Sequence, residues 1–299
     1  MTRTLSSIAL ERLARTAGLG AHNYLRETSP PIVMITAYDA ISASIAEAAG
    51  VDIILVGDSA ATTVLGYETT RSVSVEEMLM LTRAARRGAR HTVILGDLPF
   101  GSYESSNRDA MEIAWQFVDA GADIVKLEGA HDMAQRLRTI VDAGIPAVGH
   151  VGLLPQGARS ADELRARGRS ADDALRIVKD AIELDHAGAS LIVVEAVPSV
   201  VARAVQDCVR APVIGIGAGS AVAGQVLVYP DMVGLTAGKI PRFVRRYAEL
   251  RDTWTHAMRA YADDVRSRSF PTAAEEYGMP DEELAAFEQL MRERHPTQA

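Results

Sequence analysis

The chain has 299 residues, of which 48% are hydrophobic and 23% are charged. These proportions are typical of a globular protein and exclude a disordered or fibrous chain. The 31 basic and 39 acidic residues give a formal net charge of −8, which does not favour nucleic acid as a partner. The single cysteine, Cys208, excludes a disulfide framework and a multi-cysteine zinc site. We interpret Cys208 as a small buried residue on a helix.

Two segments resemble membrane or targeting signals, but each has a simpler explanation. Residues 211–230 carry no charge, yet their apolar runs are short and are separated by glycines between Pro212 and Pro230. That pattern predicts two buried strands joined by a glycine turn. The N-terminal segment has charged residues such as Glu11 and Arg12 where a signal peptide needs an apolar core, and it indicates an exposed helix. We therefore expect a cytoplasmic protein without a membrane segment.

Short apolar runs alternate with longer helical patterns along most of the chain. The runs are rich in Val and Ile and nearly continuous, which is typical of parallel strands covered on both sides. Several helix-to-strand joins contain a glycine shortly before the strand, as in Ala49-Gly50-Val51-Asp52, and this glycine favours the end of a helix. The predicted strands are Ile32–Thr36, Asp52–Val56, Thr92–Leu95, Asp123–Leu127, Pro146–Val151, Ser190–Val194, Pro212–Ile216 and Gln225–Val228. The predicted helices are Ala40–Ala49, Val75–Arg87, Arg108–Ala120, Asp132–Ala143, Ala171–Ala187 and Ser199–Asp207.

Eight strands with intervening helices predict an α/β fold, a (β/α)₈ TIM barrel. A doubly wound open sheet is the alternative, because strand order cannot be read from one sequence. We expect one domain over residues 1–299, with a barrel core at about 30–240, an N-terminal helical addition and C-terminal helices at 240–299. Apolar residues at spacings of three and four predict that the C-terminal region has a packing face on a helix. They are Phe243, Tyr247, Leu250, Trp254 and Met258.

Polar residues end most of the predicted strands, and in a barrel these ends form the mouth where active sites lie. Asp58, Asp97 and Glu128 are carboxylates that follow three consecutive strands, so their like charges would repel one another. A divalent cation resolves this repulsion, and oxygen ligands without clustered His or Cys favour Mg²⁺. The sequence therefore predicts a magnesium site at these three residues, with Ser59 beside it.

Lys126 and Glu128 lie two residues apart on one strand, so both side chains point into the barrel. Because burying an unpaired ammonium group is costly, we interpret Lys126 as a cation that holds a substrate carboxylate or keto oxygen. Glu195 closes an apolar run, where partial desolvation suits a general base. His150 also ends a strand, and it is either a core histidine or a ligand contact. Together these residues indicate metal-assisted enolate chemistry on a small oxo acid.

A series of longer motifs runs through the chain in a fixed order, and as a set they are far more specific than any one of them. The motifs are Ile35-Thr36-Ala37-Tyr38-Asp39, Val56-Gly57-Asp58-Ser59, Leu65-Gly66-Tyr67, Gly96-Asp97-Leu98-Pro99-Phe100-Gly101-Ser102-Tyr103, Val125-Lys126-Leu127-Glu128-Gly129, Gly149-His150-Val151-Gly152, Pro155-Gln156, Gly215-Ile216-Gly217-Ala218-Gly219 and Gly224-Gln225-Val226-Leu227-Val228. Together they resemble the ketopantoate hydroxymethyltransferase family over about residues 30–270.

The resemblance implies a barrel of the phosphoenolpyruvate mutase and isocitrate lyase type, assembled as a homodecamer. It implies transfer of a hydroxymethyl group from 5,10-methylenetetrahydrofolate to 3-methyl-2-oxobutanoate, with Mg²⁺, giving 2-dehydropantoate for pantothenate and coenzyme A biosynthesis. On matching motif positions, the metal site comprises Asp58, Asp97 and Glu128, and the catalytic base is Glu195. The oxo-acid contacts comprise Asp58, Ser59, Asp97, Lys126 and His150.

The sequence departs from the family pattern in the loops after the fifth and seventh predicted strands. Leu154 replaces a threonine, Asp162–Leu164 replace a Gly-Gly-aromatic stretch, Ala166-Arg167 replace Val-Gln, and Ala223 replaces an aspartate. A paralogue that hydroxymethylates a different 2-oxo acid is therefore an alternative.

Two further alternatives differ in chemistry or in class. A magnesium-dependent C–C lyase of the isocitrate lyase type would share the fold, but those enzymes use a catalytic cysteine loop that this sequence lacks. A non-catalytic binding protein would have no physical reason to keep the charged residues of the mouth.

Overall fold

The computed structural model describes residues 30–160, 163–238 and 240–294. Within them, eight parallel strands pair in sequence order, and the last strand pairs with the first to close a barrel. The predicted (β/α)₈ barrel is confirmed, and this closure excludes the open sheet. The strands are β1 (Ile32–Thr36), β2 (Ile53–Val56), β3 (Val93–Asp97), β4 (Ile124–Glu128), β5 (Ala147–Gly152), β6 (Leu191–Glu195), β7 (Val213–Ile216) and β8 (Gly224–Leu227).

Helices follow most strands, and their ends agree closely with the sequence pattern. The second long helix begins at a capping box, in which the Ser74 hydroxyl accepts from Glu77 N and the Glu77 side chain accepts from Ser74 N. Between β7 and β8 the described chain forms a glycine-rich turn and no helix. The helices are α1 (Ala40–Ala48), α2 (Ala60–Thr63), α3 (Val75–Gly88), α4 (Asn107–Asp119), α5 (Asp132–Asp142), α6 (Ala171–His186), α7 (Ser199–Cys208), α8 (Tyr229–Met232), α9 (Leu250–Ser267) and α10 (Asp281–Arg294).

Side chains alternate along each strand between the barrel interior and the layer under the helices. The outward set packs with the helices into the main hydrophobic core. At the carboxyl ends of the strands the inward positions change from apolar to charged. The apolar interior comprises Ile32, Met34, Ile53, Leu55, Val93, Leu95, Ile124, Val148, Leu191, Val193, Ile214, Ile216 and Val226.

Two sequence predictions about individual residues are wrong. Cys208 lies on a helix as expected, but it is the last residue of α7 and is exposed. The predicted C-terminal stripe does not form one helical face, because α9 begins only at Leu250 and residues 240–249 are not helical. Trp254 and Met258 are 53% and 66% exposed, so they do not form a packing face within the described chain.

Residues 249–294 belong to a compact unit of their own, which contains α9 and α10. Within this unit, the rings of Tyr261 and Phe270 pack against each other, with their centroids 5.6 Å apart. Among the described residues, none of the helices combines the length and the apolar character that crossing a membrane requires. The predicted N-terminal helix lies outside the described residues, and the single-domain organisation stays a prediction.

Candidate active site

A small pocket lies at the carboxyl ends of the barrel strands, and we call it the mouth pocket. Strand register places Asp97 opposite Lys126 and Glu128 opposite His150. The pocket has a volume of about 110 Å³. It is lined by all seven residues singled out from the sequence, namely Asp58, Ser59, Asp97, Lys126, Glu128, His150 and Glu195.

Lys126 is the central cation of the mouth pocket and is only 3% exposed. Its Nζ lies 2.7 Å from Asp97 Oδ1 and 3.6 Å from Glu128 Oε1. Burial disfavours the charged amine, but attraction to Asp97, Glu128 and Asp58 outweighs burial and raises the pKa of Lys126 above its ordinary value. The ammonium group is therefore retained at neutral pH.

His150 lies between two carboxylates. Its Nδ1 is 3.2 Å from Glu128 Oε1, and its Nε2 is 3.3 Å from Glu195 Oε2. Burial opposes the charged ring, but the Glu128 carboxylate outweighs it and raises the pKa of His150 to about 9. At neutral pH the ring is an imidazolium that bridges Glu128 and Glu195, a connection that neither sequence interpretation of His150 included.

The carboxylates of the mouth pocket are crowded. Burial first, and then repulsion from Asp97 and Glu128, holds the pKa of Asp58 well above its ordinary value. Burial also raises the pKa of Asp97. Burial has the same effect on Glu128, but Lys126 and His150 outweigh it, so the pKa of Glu128 is lowered. Ionisation is therefore disfavoured at Asp58 and Asp97 and favoured at Glu128.

This pair of aspartates fits a hard divalent cation. Asp58 N donates to Asp97 Oδ2 over 3.1 Å, which holds the two residues side by side. Mg²⁺ in proteins is usually bound through one or two carboxylates and keeps several waters. Asp97 and Glu128 also pair with Lys126, and all three predicted carboxylates line the mouth pocket, where they would hold such an ion.

A surface cluster outside the mouth pocket also has metal-ligand chemistry. Among the described residues, the group of three whose ligand atoms all lie within 4.8 Å of one another is His131, Asp180 and Glu183. By the same distance criterion, Asp58, Asp97 and Glu128 do not form such a group within the described residues. The surface cluster was not predicted from the sequence, and its members are not part of the mouth pocket.

Sequence reasoning gave no role to Gln156, although Pro155-Gln156 stands among the motifs. Its Nε2 donates to Asp58 Oδ2 over 3.1 Å, and its backbone N donates to Glu128 Oε2 over 3.0 Å. The Tyr103 hydroxyl donates to Gln156 Oε1 over 2.6 Å and accepts from Glu128 N over 3.1 Å. Gln156 therefore fixes the positions of two carboxylates, and Tyr103 fixes Gln156.

Three further contacts brace the loops around the mouth pocket. The Tyr38 and Ser59 hydroxyls lie 2.8 Å apart and are hydrogen-bonded. Arg71 donates to the carbonyl of Gln156 over 3.1 Å and places its guanidinium 3.6 Å above the Phe100 ring. Arg71 thus joins the loops after β2, β3 and β5.

A closed barrel with charged residues at its mouth places this chain in a broad structural class. One similar solved structure is a phosphonopyruvate hydrolase in complex with oxalate and Mg²⁺, at 12% identity and a TM-score of 0.58, covering 99% of each chain. Another is a 2,3-dimethylmalate lyase, described as a member of the PEP mutase/isocitrate lyase superfamily, at 14% identity and a TM-score of 0.55. That match covers 97% of this chain and all of the lyase. At these identities the likeness shows the fold alone, an eight-stranded parallel barrel surrounded by helices.

Sequence similarity defines the family within that class. The Ketopantoate hydroxymethyltransferase family model matches residues 21–273. A 3-methyl-2-oxobutanoate hydroxymethyltransferase of Geobacillus sp. (strain WCH70) is 43% identical over 264 residues, covering 88% of this chain and 95% of the relative. Another, from Acidothermus cellulolyticus, is 48% identical over 245 residues, covering 82% and 90% respectively. The chain belongs to the ketopantoate hydroxymethyltransferase family, and the predicted resemblance is confirmed.

Proposed function

We propose that the chain transfers a hydroxymethyl group from 5,10-methylenetetrahydrofolate to 3-methyl-2-oxobutanoate. The observation that carries this proposal is the charged Lys126 deep in a small pocket that also contains Glu195. In the overall reaction, C3 of the oxo acid loses a proton and gains the folate-borne carbon, and water supplies the hydroxyl oxygen. The products are 2-dehydropantoate and tetrahydrofolate.

The mouth pocket has the two kinds of lining that a branched oxo acid requires. Its polar side presents Lys126, Ser59 and Asp97 to the carboxylate and oxo group. Its apolar side would receive the isopropyl group and consists of Leu55, Val193, Ile216, Val226 and Val228. A volume of about 110 Å³ suits a five-carbon acid and excludes much larger substrates from this pocket.

Glu195 is the base in this proposal. It is the last residue of β6, its side chain is 16% exposed, and His150 Nε2 lies 3.3 Å from its Oε2. His150 orients the carboxylate, which removes the C3 proton. Lys126 faces the negative charge that then develops on the oxo group. Asp58, Asp97 and Glu128 would hold Mg²⁺, and a bound Mg²⁺ would supply a Lewis acid for that charge.

The location of the loop departures supports the family substrate. Leu154, Glu163 and Arg167 line a separate cavity, next to Gly152 and Ala158. Among the described residues, none of the departing positions lines the mouth pocket; Asp162 lies outside those residues. The residues that would contact the alkyl group of the substrate are thus unchanged by these substitutions.

A competition assay tests the substrate. Equal concentrations of several 2-oxo acids are supplied with 5,10-methylenetetrahydrofolate and Mg²⁺, and the products are quantified. We expect 3-methyl-2-oxobutanoate to be consumed fastest, and EDTA to stop the reaction until Mg²⁺ is restored. A tenfold preference for another oxo acid, about 1.4 kcal/mol, would instead establish the paralogue alternative.

The position of Cys208 does not support the lyase alternative, which needs a catalytic cysteine at the mouth. This residue ends α7, and a helix that follows a barrel strand ends at the face opposite the mouth. Two further predictions belong to the same proposal. Assembly as a homodecamer follows from the family resemblance, and a cytoplasmic location follows from the sequence analysis above.

A further inference from the structure

A second and much larger cavity adjoins the mouth pocket, and we call it the arginine groove. Its volume is about 910 Å³. It is lined by the segments that follow β6 and β7, by strand β8 itself, by two residues of the loop after β5, and by residues between 242 and 247. Val226 lines both cavities, and Glu195 and Ile216 of the mouth pocket are followed in the chain by Ala196 and Gly217 of the groove. The groove therefore opens directly beside the proposed base.

The charge of the arginine groove is opposite to that of the chain. Arg169, Arg242 and Arg245 line it and are exposed, and its lining within the described residues includes no Asp or Glu. Arg169 lies in the loop after β5, whereas the other two arginines follow α8. Three cations gathered in one groove of a protein with net charge −8 create a local site for a polyanion. Guanidinium groups bind carboxylates in a bidentate manner.

The groove also has an aromatic wall next to the mouth pocket. Phe243 is half-buried and packs against the apolar interior of the barrel. Its ring lies so close to Gly217 that a Cβ at Gly217 would stand 2.5 Å from Phe243 Cδ1. Glycine at this position, with φ of +62°, lets the ring cover the turn after β7. An aromatic face at this point suits a flat heterocycle.

The geometry points to the arginine groove as the binding site of 5,10-methylenetetrahydrofolate, an inference that rests on the proposed function. The folate has a flat pterin at the end that carries the one-carbon unit, and glutamate carboxylates at the other end. We place the pterin against Phe243, where the methylene carbon reaches the mouth pocket, and the glutamate carboxylates at Arg169, Arg242 and Arg245. The groove volume falls in the range of about 300–1,000 Å³ typical for ligands of this size, whereas the mouth pocket is too small.

Charge-reversal variants test this assignment. The double variant Arg242→Glu/Arg245→Glu is compared with Arg83→Glu, which reverses an exposed arginine on the outer helix α3. Calorimetry measures the Kd for tetrahydrofolate as the monoglutamate and as the triglutamate. We expect the double variant to weaken binding at least tenfold, and more for the triglutamate, while the Arg83 variant binds as the native chain does. Steady-state assays should show the same increase in the KM for 5,10-methylenetetrahydrofolate.

Exchange of the C3 proton of 3-methyl-2-oxobutanoate with D₂O, without folate, reports on the mouth pocket alone. We expect the double variant to keep this exchange rate and the KM for the oxo acid within twofold of native. Unchanged folate Kd and KM would overturn the assignment, and so would an equal loss of folate binding and exchange, which indicates general damage. A native chain that binds tetrahydrofolate but forms no hydroxymethylated product would contradict the proposed function and leave the binding assignment standing. A native chain that binds no tetrahydrofolate would overturn the assignment itself.

Discussion

Carboxylates occupy both ends of the barrel, but their surroundings differ. At the amino-terminal end of the strands they accept hydrogen bonds from backbone N–H groups that begin neighbouring strands. Asp52 accepts from Val33 N over 2.8 Å, Asp123 accepts from Ile94 N over 2.9 Å, and Glu47 accepts from Thr92 N over 2.8 Å. At the mouth, by contrast, Asp58 faces other carboxylates.

The difference shows in the direction of the pKa shifts. Burial opposes the charge of Glu47, but hydrogen bonds from Thr92 and His91 outweigh burial and lower its pKa. Burial and repulsion from Asp97 raise the pKa of Asp58. A lowered carboxyl pKa means that ionisation favours the folded state, and a raised one means that it opposes folding. The charge of Glu47 therefore contributes to stability, whereas Asp58 carries its charge at a cost in stability.

The substitution Asp58→Asn should separate activity from stability at the mouth. It removes one of the two carboxylates proposed to hold the metal, so we expect kcat to fall by roughly 10²–10³-fold, as when a group that stabilises developing charge is lost. Because the amide removes a repelled buried charge, the free energy of unfolding in EDTA should stay the same or rise by about 1 kcal/mol. Enzyme assays and urea unfolding measure the two effects. If Asp58→Asn kept native activity, or were clearly less stable than the native chain, the proposed contrast between Asp58 and Glu47 would be wrong.

Gln156→Leu tests the support of the carboxylates rather than the carboxylates themselves. The variant loses the bonds to Asp58 and Tyr103, whereas the backbone bond to Glu128 remains. We expect the Mg²⁺ concentration for half-maximal activity to rise by roughly 10–100-fold, the usual effect of removing a residue that orients metal ligands. A magnesium titration of the activity provides the measurement. An unchanged titration midpoint would show that Asp58 is held by other contacts.

Glu47→Gln should give the opposite result to Asp58→Asn. The amide keeps an acceptor but loses the charge that strengthens the bonds from Thr92 and His91, so unfolding at pH 7 should cost about 1 kcal/mol less. The pKa of Glu47 is lowered in the folded state, so its contribution is present above the ordinary value of 4.5 and is lost as pH falls through the folded value. Native and variant stabilities should therefore converge in acid.

The hydroxymethyl-transfer activity of Glu47→Gln should equal that of the native chain, because Glu47 lies at the end of the barrel opposite the mouth. The exposed Glu68 offers a matched control, since Glu68→Gln makes the same chemical change without the backbone bonds of Glu47. A stability difference that persists at the lowest pH would mean that the bonds of Glu47 do not depend on its charge.

The barrel could be predicted from the sequence because parallel strands buried on both sides produce continuous apolar runs. All eight strands were located, and Lys126, Glu128 and Ile124 share a face as the period of two requires. The convergence of seven polar residues on one pocket followed from the same rule. Their roles in catalysis and binding stay predictions.

The remaining features depend on contacts between distant loops. Gln156 reaches Asp58 across 98 positions of the sequence, a contact that no local pattern encodes. The arginine groove unites residues from the loop after β5 with residues after α8, and each arginine alone resembles an ordinary surface residue. The error at Phe243 has a related cause, because spacings of three and four persist in a segment that is not helical.

The most direct test of the account is the exchange of the C3 proton of 3-methyl-2-oxobutanoate with D₂O in the presence of Mg²⁺ and the absence of folate. Glu195→Gln preserves the size of the side chain but cannot accept the proton. We predict that this variant binds the oxo acid with near-native affinity and exchanges the proton roughly 10²–10⁴-fold more slowly, the range for a removed general base. Glu47→Gln, with the same change at the other end of the barrel, should exchange at the native rate. Exchange at the native rate in Glu195→Gln would contradict the account and show that another group removes the proton.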